Sequence, residues 1–117
     1  MMKEEELLQL AVKILDDHKA TEIVTADVSR VTPFASHYIL ATAPNVRALG
    51  AFADALEEEI EKAGGSVRAK DGEPESGWIV IDLNDVVVHL FLDWARAEIK
   101  LDELINRRKD ETVSREA

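Results

Sequence analysis

Three histidines and one pair of carboxylates are the residues of this sequence whose types could support chemistry. His18, His37 and His89 lie far apart, with neither the i, i+4 spacing of a helical zinc site nor a His-Glu motif. Asp82 and Asp85 flank a short turn, and paired carboxylates can act as acid and base or hold a metal ion. Carboxylates beside a turn more often cap it, so we expect no catalytic residue, metal site or cofactor.

His89 is the histidine whose neighbours are most informative. In an ideal strand Asp85, Val87, His89 and Phe91 share one face, because successive side chains alternate. Two interpretations stay open for His89. It is either half-buried, stabilising a hairpin through a hydrogen bond, or it is a surface contact to a partner.

Trp78 begins an apolar run and shares a face with Val80 and Asp82. A large aromatic residue beside a polar loop is a good interface anchor, but most tryptophans are largely buried, so Trp78 could instead cover the core. If Trp78 is an anchor, Trp78→Ala weakens binding with little loss of stability, whereas a large loss indicates a core role. Trp94 is expected to have a packing role.

The acidic excess restricts the class of partner. The chain carries 24 acidic against 14 basic residues, a formal net charge of −10. Binding that neutralises phosphates requires a basic face, and the one basic cluster, at 107–109, is followed by two acids. A partner is therefore expected to be a basic protein rather than bare RNA, unless the acid serves only to keep the protein in solution.

Length and composition indicate one small cytoplasmic domain. The 117 residues fit a single domain, and no apolar run reaches the roughly 18–20 residues of a membrane span. The absence of cysteine is compatible with a reducing compartment. The acidic N-terminus is unlike a secretory signal or a transit peptide.

Apolar periodicity predicts the elements that must position these residues. A first helix runs through Leu7 and Leu15, and a second begins at the N-cap Asn45, carries an apolar stripe from Val46 to Ala63, and ends at Gly64. Strands are predicted at residues 22–28, 37–42, 66–69, 78–83 and 86–91, with a loop at 29–35, a polar loop at 70–77 and a hairpin turn at 84–85. A terminal helix capped by Asp93 carries its apolar residues at Ala97, Leu101, Leu104 and Ile105.

This order of elements predicts an α+β fold, a mixed five-stranded sheet with helices packed on it. We expect a single domain at residues 1–105 and a polar tail at 106–117.

Residues 77–91 resemble the signature of the ribosomal silencing factor (Iojap-like) family. The family pattern is a Trp, three apolar residues, an Asp, two turn residues, an acid, then Val-Val-Val-His and an aromatic, and here it reads Trp78 to Asp82 followed by Asp85 to Phe91. The resemblance extends over about residues 7–105. It is also carried by Asp17, Lys19-Ala20, Ile23, Asp27-Val28-Ser29, Tyr38 to Thr42, Arg47 and Ala51 to Asp54.

The resemblance implies a fold, a partner and a mechanism. The topology is expected to be nucleotidyltransferase-like (Iojap). Such proteins dock on the large ribosomal subunit through ribosomal protein uL14 and sterically block subunit joining, which represses translation without catalysis. The implied partner-binding residues are Trp78, Val80, Asp82, Asp85, His89, Phe91 and Ile99. A homodimer is also implied, and the apolar last strand is expected to be exposed enough to form it.

The sequence departs from the family pattern at several positions. Ser36 and His37 replace an acidic-aromatic pair, residues 43–46 replace Gly-Asn-Ser-Ser, and Asn84 replaces a hairpin glycine. Ile99 and Ile105 stand where the family has an aromatic residue and a Trp. An alternative is therefore an engineered or diverged Iojap-fold scaffold that no longer binds the ribosome, in which Tyr and Trp at these two positions would restore binding.

A second alternative is a nucleotidyltransferase-like enzyme. Such enzymes use Gly-Ser at a helix start to bind phosphate and an acidic pair to hold magnesium. Here that turn reads Ala43-Pro44-Asn45, and Pro44 has no N–H to donate. The pattern therefore favours a binding protein over an enzyme.

Overall fold

The computed structural model describes residues 2–103 and residue 105. The helices are α1 (Glu4–Asp17), α2 (Val46–Lys62) and α3 (Asp93–Ile99). The strands are β1 (Thr21–Asp27), β2 (His37–Ala43), β3 (Ala69–Asp71), β4 (Trp78–Asp82) and β5 (Val86–Leu92), with a 3-10 turn at Pro74–Ser76. Residues 101–103 are again helical. The predicted tail at 106–117 and Leu104 lie outside the described residues.

The strands form one mixed sheet in the order β1-β2-β5-β4-β3. β2 and β5 run parallel, and the other three neighbouring pairs are antiparallel. The predicted α+β class and five-stranded sheet are confirmed. β5 is the central strand and is buried along most of its length, so the expectation that its exposed apolar surface could form a dimer is wrong.

One face of the sheet is covered by α1 and α2. The stripe predicted for α2 is buried at Leu49, Phe52, Leu56 and Ile60, and it packs on the inward side chains of β2, β4 and β5. Val46 and Ala63 were also predicted to belong to the stripe, but both are exposed because they lie at the two ends of the helix. We call this apolar layer the main core.

The boundaries of α2 follow the predicted signals. The Asn45 side chain accepts a hydrogen bond from the Ala48 N–H at 2.8 Å, which satisfies one of the free donors of the first turn. At the other end Gly64 has a φ of +94°, a left-handed conformation that glycine adopts without a steric penalty.

The third strand lies later in the chain than predicted. Residues 66–69 were expected to pair, but β3 is Ala69–Asp71 and consists of exposed residues. Its position is fixed by antiparallel pairing with β4, where Ala69 faces Asp82 and Asp71 faces Val80. Gly72 ends the strand at a φ of +97°, and a Cβ there would lie 2.3 Å from the Trp78 carbonyl oxygen. The position of β3 is therefore set by its pairing with β4 and by the tight turn at Gly72, and not by the residue pattern at 66–69.

The C-terminal helix differs from the prediction in three respects. Leu92, not Asp93, is the N-cap. Ala97 is exposed, and the inward positions of α3 are Ala95 and Arg96. The helix is interrupted at Lys100, whose φ of +59° is left-handed, so the chain changes direction before residues 101–103.

The second face of the sheet carries a smaller and partly open core. α3 and the residues after it lie on this face, with Leu101 and Ile105 packed among the side chains. We call this group the small core; its buried members are Ala26, Val28, Ala35, Leu40, Phe91, Ala95 and Ile105. At its margin Trp78, Tyr38 and Val87 are only partly buried.

Candidate partner-binding surface

An aromatic cluster forms on the second face because β4 and β5 are paired in register. Trp78 lies opposite Phe91 and Val80 lies opposite His89. The Trp78 ring stacks on Phe91 with centroids 5.7 Å apart and on His89 at 5.9 Å. Tyr38 of β2 approaches His89 at 4.6 Å. The alternation predicted for the two strands therefore assembles these four rings, here called the aromatic cluster.

His89 lies within the cluster rather than on its surface. It is 7% exposed, and the Trp78 Nε1–H donates a hydrogen bond to its Nδ1 at 3.2 Å. The neutral ring must then carry its proton on Nε2, which is buried without a partner among the described residues. Burial lowers the pKa of His89 from 6.5 to about 4, so the ring is neutral near pH 7. This geometry matches the interpretation in which His89 stabilises the hairpin.

Trp78 and Phe91 have different roles within the cluster. Phe91 has no accessible surface, so it cannot contact a partner directly and instead supports Trp78 by stacking against it from the neighbouring strand. Trp78 is half-buried, with one side of its indole fixed by stacking and part of its ring facing out. It therefore combines both interpretations, as part of the lid over the small core and as exposed aromatic surface.

The two carboxylates at the turn have structural roles. Asp82 accepts a hydrogen bond from the Asn84 N–H at 2.8 Å and forms an ion pair with Arg68 at 2.8 Å. Asn84 has a φ of +82°, which explains why the family places glycine there. Asp85 is exposed, and its carbonyl oxygen accepts hydrogen bonds from the N–H groups of Ser36 and His37. Asp82 therefore caps and braces the hairpin turn, and the Asp85 backbone joins the turn to β2.

Val80, Ile99 and Ile105 differ in how far they are exposed. Val80 is half-buried in β4. Ile99 is 37% exposed at the end of α3. Ile105, where the family has a Trp, is 5% exposed and belongs to the small core. Its substitution therefore changes an interior residue rather than an exposed contact.

Trp94 was expected to have a packing role, and Arg96 was not singled out from the sequence. Trp94 is 56% exposed and packs beside Gly77, where a Cβ would lie 2.8 Å from its ring. Arg96 is buried at 7% exposure and forms hydrogen bonds to three separate segments. The sequence carries no local signal for the burial of Arg96, because two of its three partners, Glu22 and Thr42, are distant in the chain.

The start of α2 has the turn Ala43-Pro44-Asn45 that was singled out from the sequence. The Ala48 N–H is already bonded to Asn45, and Pro44 precedes that cap. Over residues 2–103 and 105, no group of three His, Asp or Glu side chains is placed to hold a metal ion. In the same part of the chain no helix is both long and apolar enough to cross a membrane.

The fold is that of a small α+β protein, and two solved structures share it. A crystal structure of a protein from Chromobacterium violaceum superposes with a TM-score of 0.85 at 28% identity and covers 90% of this chain and 88% of that one. A crystal structure from Bacillus halodurans gives 0.77 at 31% identity, over 86% of this chain and 94% of that one.

Sequence comparison identifies the family. Residues 1–117 match the family model described as "Ribosomal silencing factor during starvation". A ribosomal silencing factor of Halalkalibacterium halodurans is 32% identical over 103 residues, 88% of each chain. The chloroplastic Iojap protein of Zea mays is 34% identical over 101 residues, 84% of this chain and 44% of that protein. The chain belongs to the ribosomal silencing factor family.

Proposed function

We propose that this protein binds the large ribosomal subunit through ribosomal protein uL14 and blocks subunit joining, which represses translation in the cytoplasm. The single observation that carries the proposal is family membership over the whole chain. The mechanism is steric occlusion, so the protein needs to present a rigid surface and does not need to transform a substrate.

The docking surface in this proposal is the open side of the second sheet face. Its contact residues are Trp78, Val80, Asp82, Asp85 and Ile99, and His89 and Phe91 support Trp78 from within the sheet. Stacking on two buried rings fixes the indole before binding, and a preordered aromatic anchor loses little conformational entropy on association.

Charge favours a protein contact on the ribosome. The net charge of −10 repels the phosphates of ribosomal RNA, and Asp85 is an exposed carboxylate at the turn between β4 and β5, whereas Asp82 is paired with Arg68. A basic ribosomal protein complements both features. Binding should therefore weaken as salt rises through screening, but without the steep salt dependence of a protein that neutralises many phosphates.

Sedimentation with purified large subunits tests the proposal directly. The protein should pellet with large subunits at micromolar concentration and low salt, and isolated uL14 should compete for it. Added before the small subunit, it should reduce the light-scattering signal of subunit joining. If the protein stays in the supernatant under these conditions, the proposal fails.

Two exposed aliphatic residues provide a matched pair for that experiment. Ile99 is 37% exposed on the second face, and Val46 is 39% exposed at the start of α2, which packs on the opposite face. Lysine at either position adds the same charge and removes a similar apolar area. Ile99→Lys should weaken subunit binding about tenfold, as for a 1.4 kcal/mol contact, and Val46→Lys should leave it unchanged. Equal effects would place the contact elsewhere.

Oligomeric state is a separate proposal. We infer a homodimer from the family resemblance. β1 is a seven-residue edge strand with mostly exposed side chains, and exposed edges can pair with a second copy. Sedimentation equilibrium over a hundredfold range of concentration tests it, and a monomer mass throughout would exclude the dimer.

A further inference from the structure

Arg96 is a buried cation that joins three segments of the second sheet face. Its Nε and one terminal nitrogen donate to the two carboxylate oxygens of Asp102, each at 2.8 Å. The other terminal nitrogen donates to the Thr42 Oγ1 and to the Glu22 carbonyl oxygen, also at 2.8 Å. One guanidinium therefore connects α3 to β1, to β2 and to the segment that follows α3.

The backbone of Arg96 also takes part in this junction. The Lys100 N–H donates to the Arg96 carbonyl oxygen at 3.1 Å, where the chain turns left-handed. The side chain reaches across the same break to Asp102. The pKa of Asp102 is lowered because Arg96 hydrogen-bonds its carboxylate, as expected for an ion pair that forms in the folded state. The turn between Ile99 and Asp102 is thus held from both sides.

That turn carries one residue of the proposed docking surface. Ile99 lies inside it, between Arg96 and Asp102 in the chain. Leu101 and Ile105 follow Ile99 in the chain and pack in the small core with Phe91. Trp78 stacks on that same Phe91 ring. If the turn opened, Ile99 would lose its fixed position and Phe91 would lose part of its cover.

A purely stabilising role does not require this chemistry. Apolar residues of similar volume often stabilise a core as well as a buried ion pair does. A planar guanidinium with acceptors on three segments adds directional constraint, because each hydrogen bond fixes an angle as well as a distance.

We propose that Arg96 is the positioning residue of the docking surface, holding the turn from Ile99 to Asp102 in the geometry that presents Ile99 and keeps Phe91, the stacking partner of Trp78, covered. The inference rests on the proposed function for its binding consequence, but its structural consequence can be measured on the protein alone.

Amide hydrogen exchange on the full chain tests the structural consequence. In Arg96→Gln, amides of residues 97–103 should exchange at least about tenfold faster than in the wild type, while those of α2 change little, because local opening is separable from global unfolding. Arg96→Lys keeps the positive charge but lacks the planar guanidinium with its several donors, so it should give an intermediate effect. Asp102→Asn should resemble Arg96→Gln, and Asp102→Glu should restore slow exchange.

A main-core variant of reduced stability is the matched control. Ile14→Val shortens a buried side chain of α1 on the opposite face and should accelerate exchange across the most protected amides without singling out 97–103. If the Arg96 and Asp102 variants give that same uniform pattern, Arg96 is only a stabilising residue and the inference is overturned.

A large-subunit binding assay then distinguishes failure of the Arg96 inference from failure of the proposed function. If the wild-type protein binds the large subunit, Arg96→Gln should bind it at least about tenfold more weakly than Ile14→Val does. The two variants are compared at a temperature where both are folded. Asp102→Glu should bind as the wild type does. Equal binding by Arg96→Gln and Ile14→Val overturns the inference and leaves the proposed function intact. If the wild type does not bind, the proposed function fails, and the exchange pattern still determines whether Arg96 holds the turn.

Discussion

The two faces of the sheet are built from different chemistry. The face under α1 and α2 is a mostly aliphatic layer in which side chains such as Leu56 and Ile60 are fully buried. The opposite face has a smaller core, and it also holds a buried histidine, a buried arginine and a half-exposed tryptophan. The first face is packed mainly by apolar side chains. The second depends on specific hydrogen bonds and ring contacts.

This difference separates stability from recognition. The main core can contribute most of the favourable burial, because its apolar area is larger and more completely enclosed. The second face retains exposed aromatic and aliphatic surface, which is unfavourable for an isolated protein but useful for a binding one. Four measurements test this division, beginning with the largest expected change in stability.

Matched leucine truncations should have unequal effects on the two faces. Leu56→Ala in the main core should lower the free energy of unfolding by about 2–5 kcal/mol, because it leaves a cavity in a fully enclosed site. Leu101→Ala beside the small core should lower it by only about 1 kcal/mol, because Leu101 is half-buried and water can enter. Urea unfolding measures both. Equal losses would show that the small core is as tightly packed as the main one.

Acid should destabilise the second face through His89. The pKa of His89 is about 4 in the folded protein against an ordinary 6.5, so between these values the unfolded chain binds more protons. Stability should therefore be full above pH 6.5 and fall by up to about 3 kcal/mol as pH drops to 4. Chemical denaturation at several pH values measures this decline.

His89→Phe provides the control for that pH dependence. It should remove most of the decline between pH 6.5 and 4. The carboxylates with lowered pKa, Asp17, Asp27 and Asp102, lose their stabilising contribution progressively from about pH 5 downwards. Their loss therefore overlaps only the acid end of the histidine window. An unchanged slope in His89→Phe would mean that His89 is not the group responsible.

Trp78→Ala should change both stability and binding. Sequence reasoning predicts little loss of stability for an interface anchor, but the stacking on Phe91 and the hydrogen bond to His89 lead us to expect a loss of about 2 kcal/mol. Trp78→Phe keeps the stack and should recover about half of that. Thermal unfolding and subunit sedimentation together separate the two roles. Full stability in Trp78→Ala would assign Trp78 to the interface alone.

Ile99→Tyr should have the smallest effect on stability, within about 0.5 kcal/mol, because the side chain is partly exposed at a helix end. If the wild-type protein binds the large ribosomal subunit, the tyrosine at position 99 should tighten that binding several-fold. If the chain is instead a diverged scaffold, Ile99→Tyr should create binding where the wild type has none. Ile105→Trp is a poorer test, because Ile105 is buried and a larger ring would overpack the small core.

Much of this molecule follows from local sequence patterns. The span of α2, its Asn45 cap, the hairpin at Asn84 and the alternation that places Trp78, His89 and Phe91 on one face were all predicted correctly, because each depends on residues close together in the chain. The signature in residues 77–91 also identified the family, and the comparisons confirm it. These features are encoded by periodicity, capping and turn chemistry.

Other features depended on contacts between distant residues. β3 lies at Ala69–Asp71 because β4 pairs with it there, and its own composition gives no such signal. Arg96 is buried because its acceptors lie on Thr42, 54 residues away, and on Glu22, 74 residues away. From sequence alone a charged residue is predicted to be exposed, because burying it is unfavourable unless the fold supplies hydrogen-bond partners. The sequence by itself determined most of the elements, the face shared by Trp78, His89 and Phe91, and the family. The tertiary structure alone decided the position of β3, the inward residues of α3, which polar residues are buried and which aromatic residues remain exposed, because these depend on contacts between distant segments.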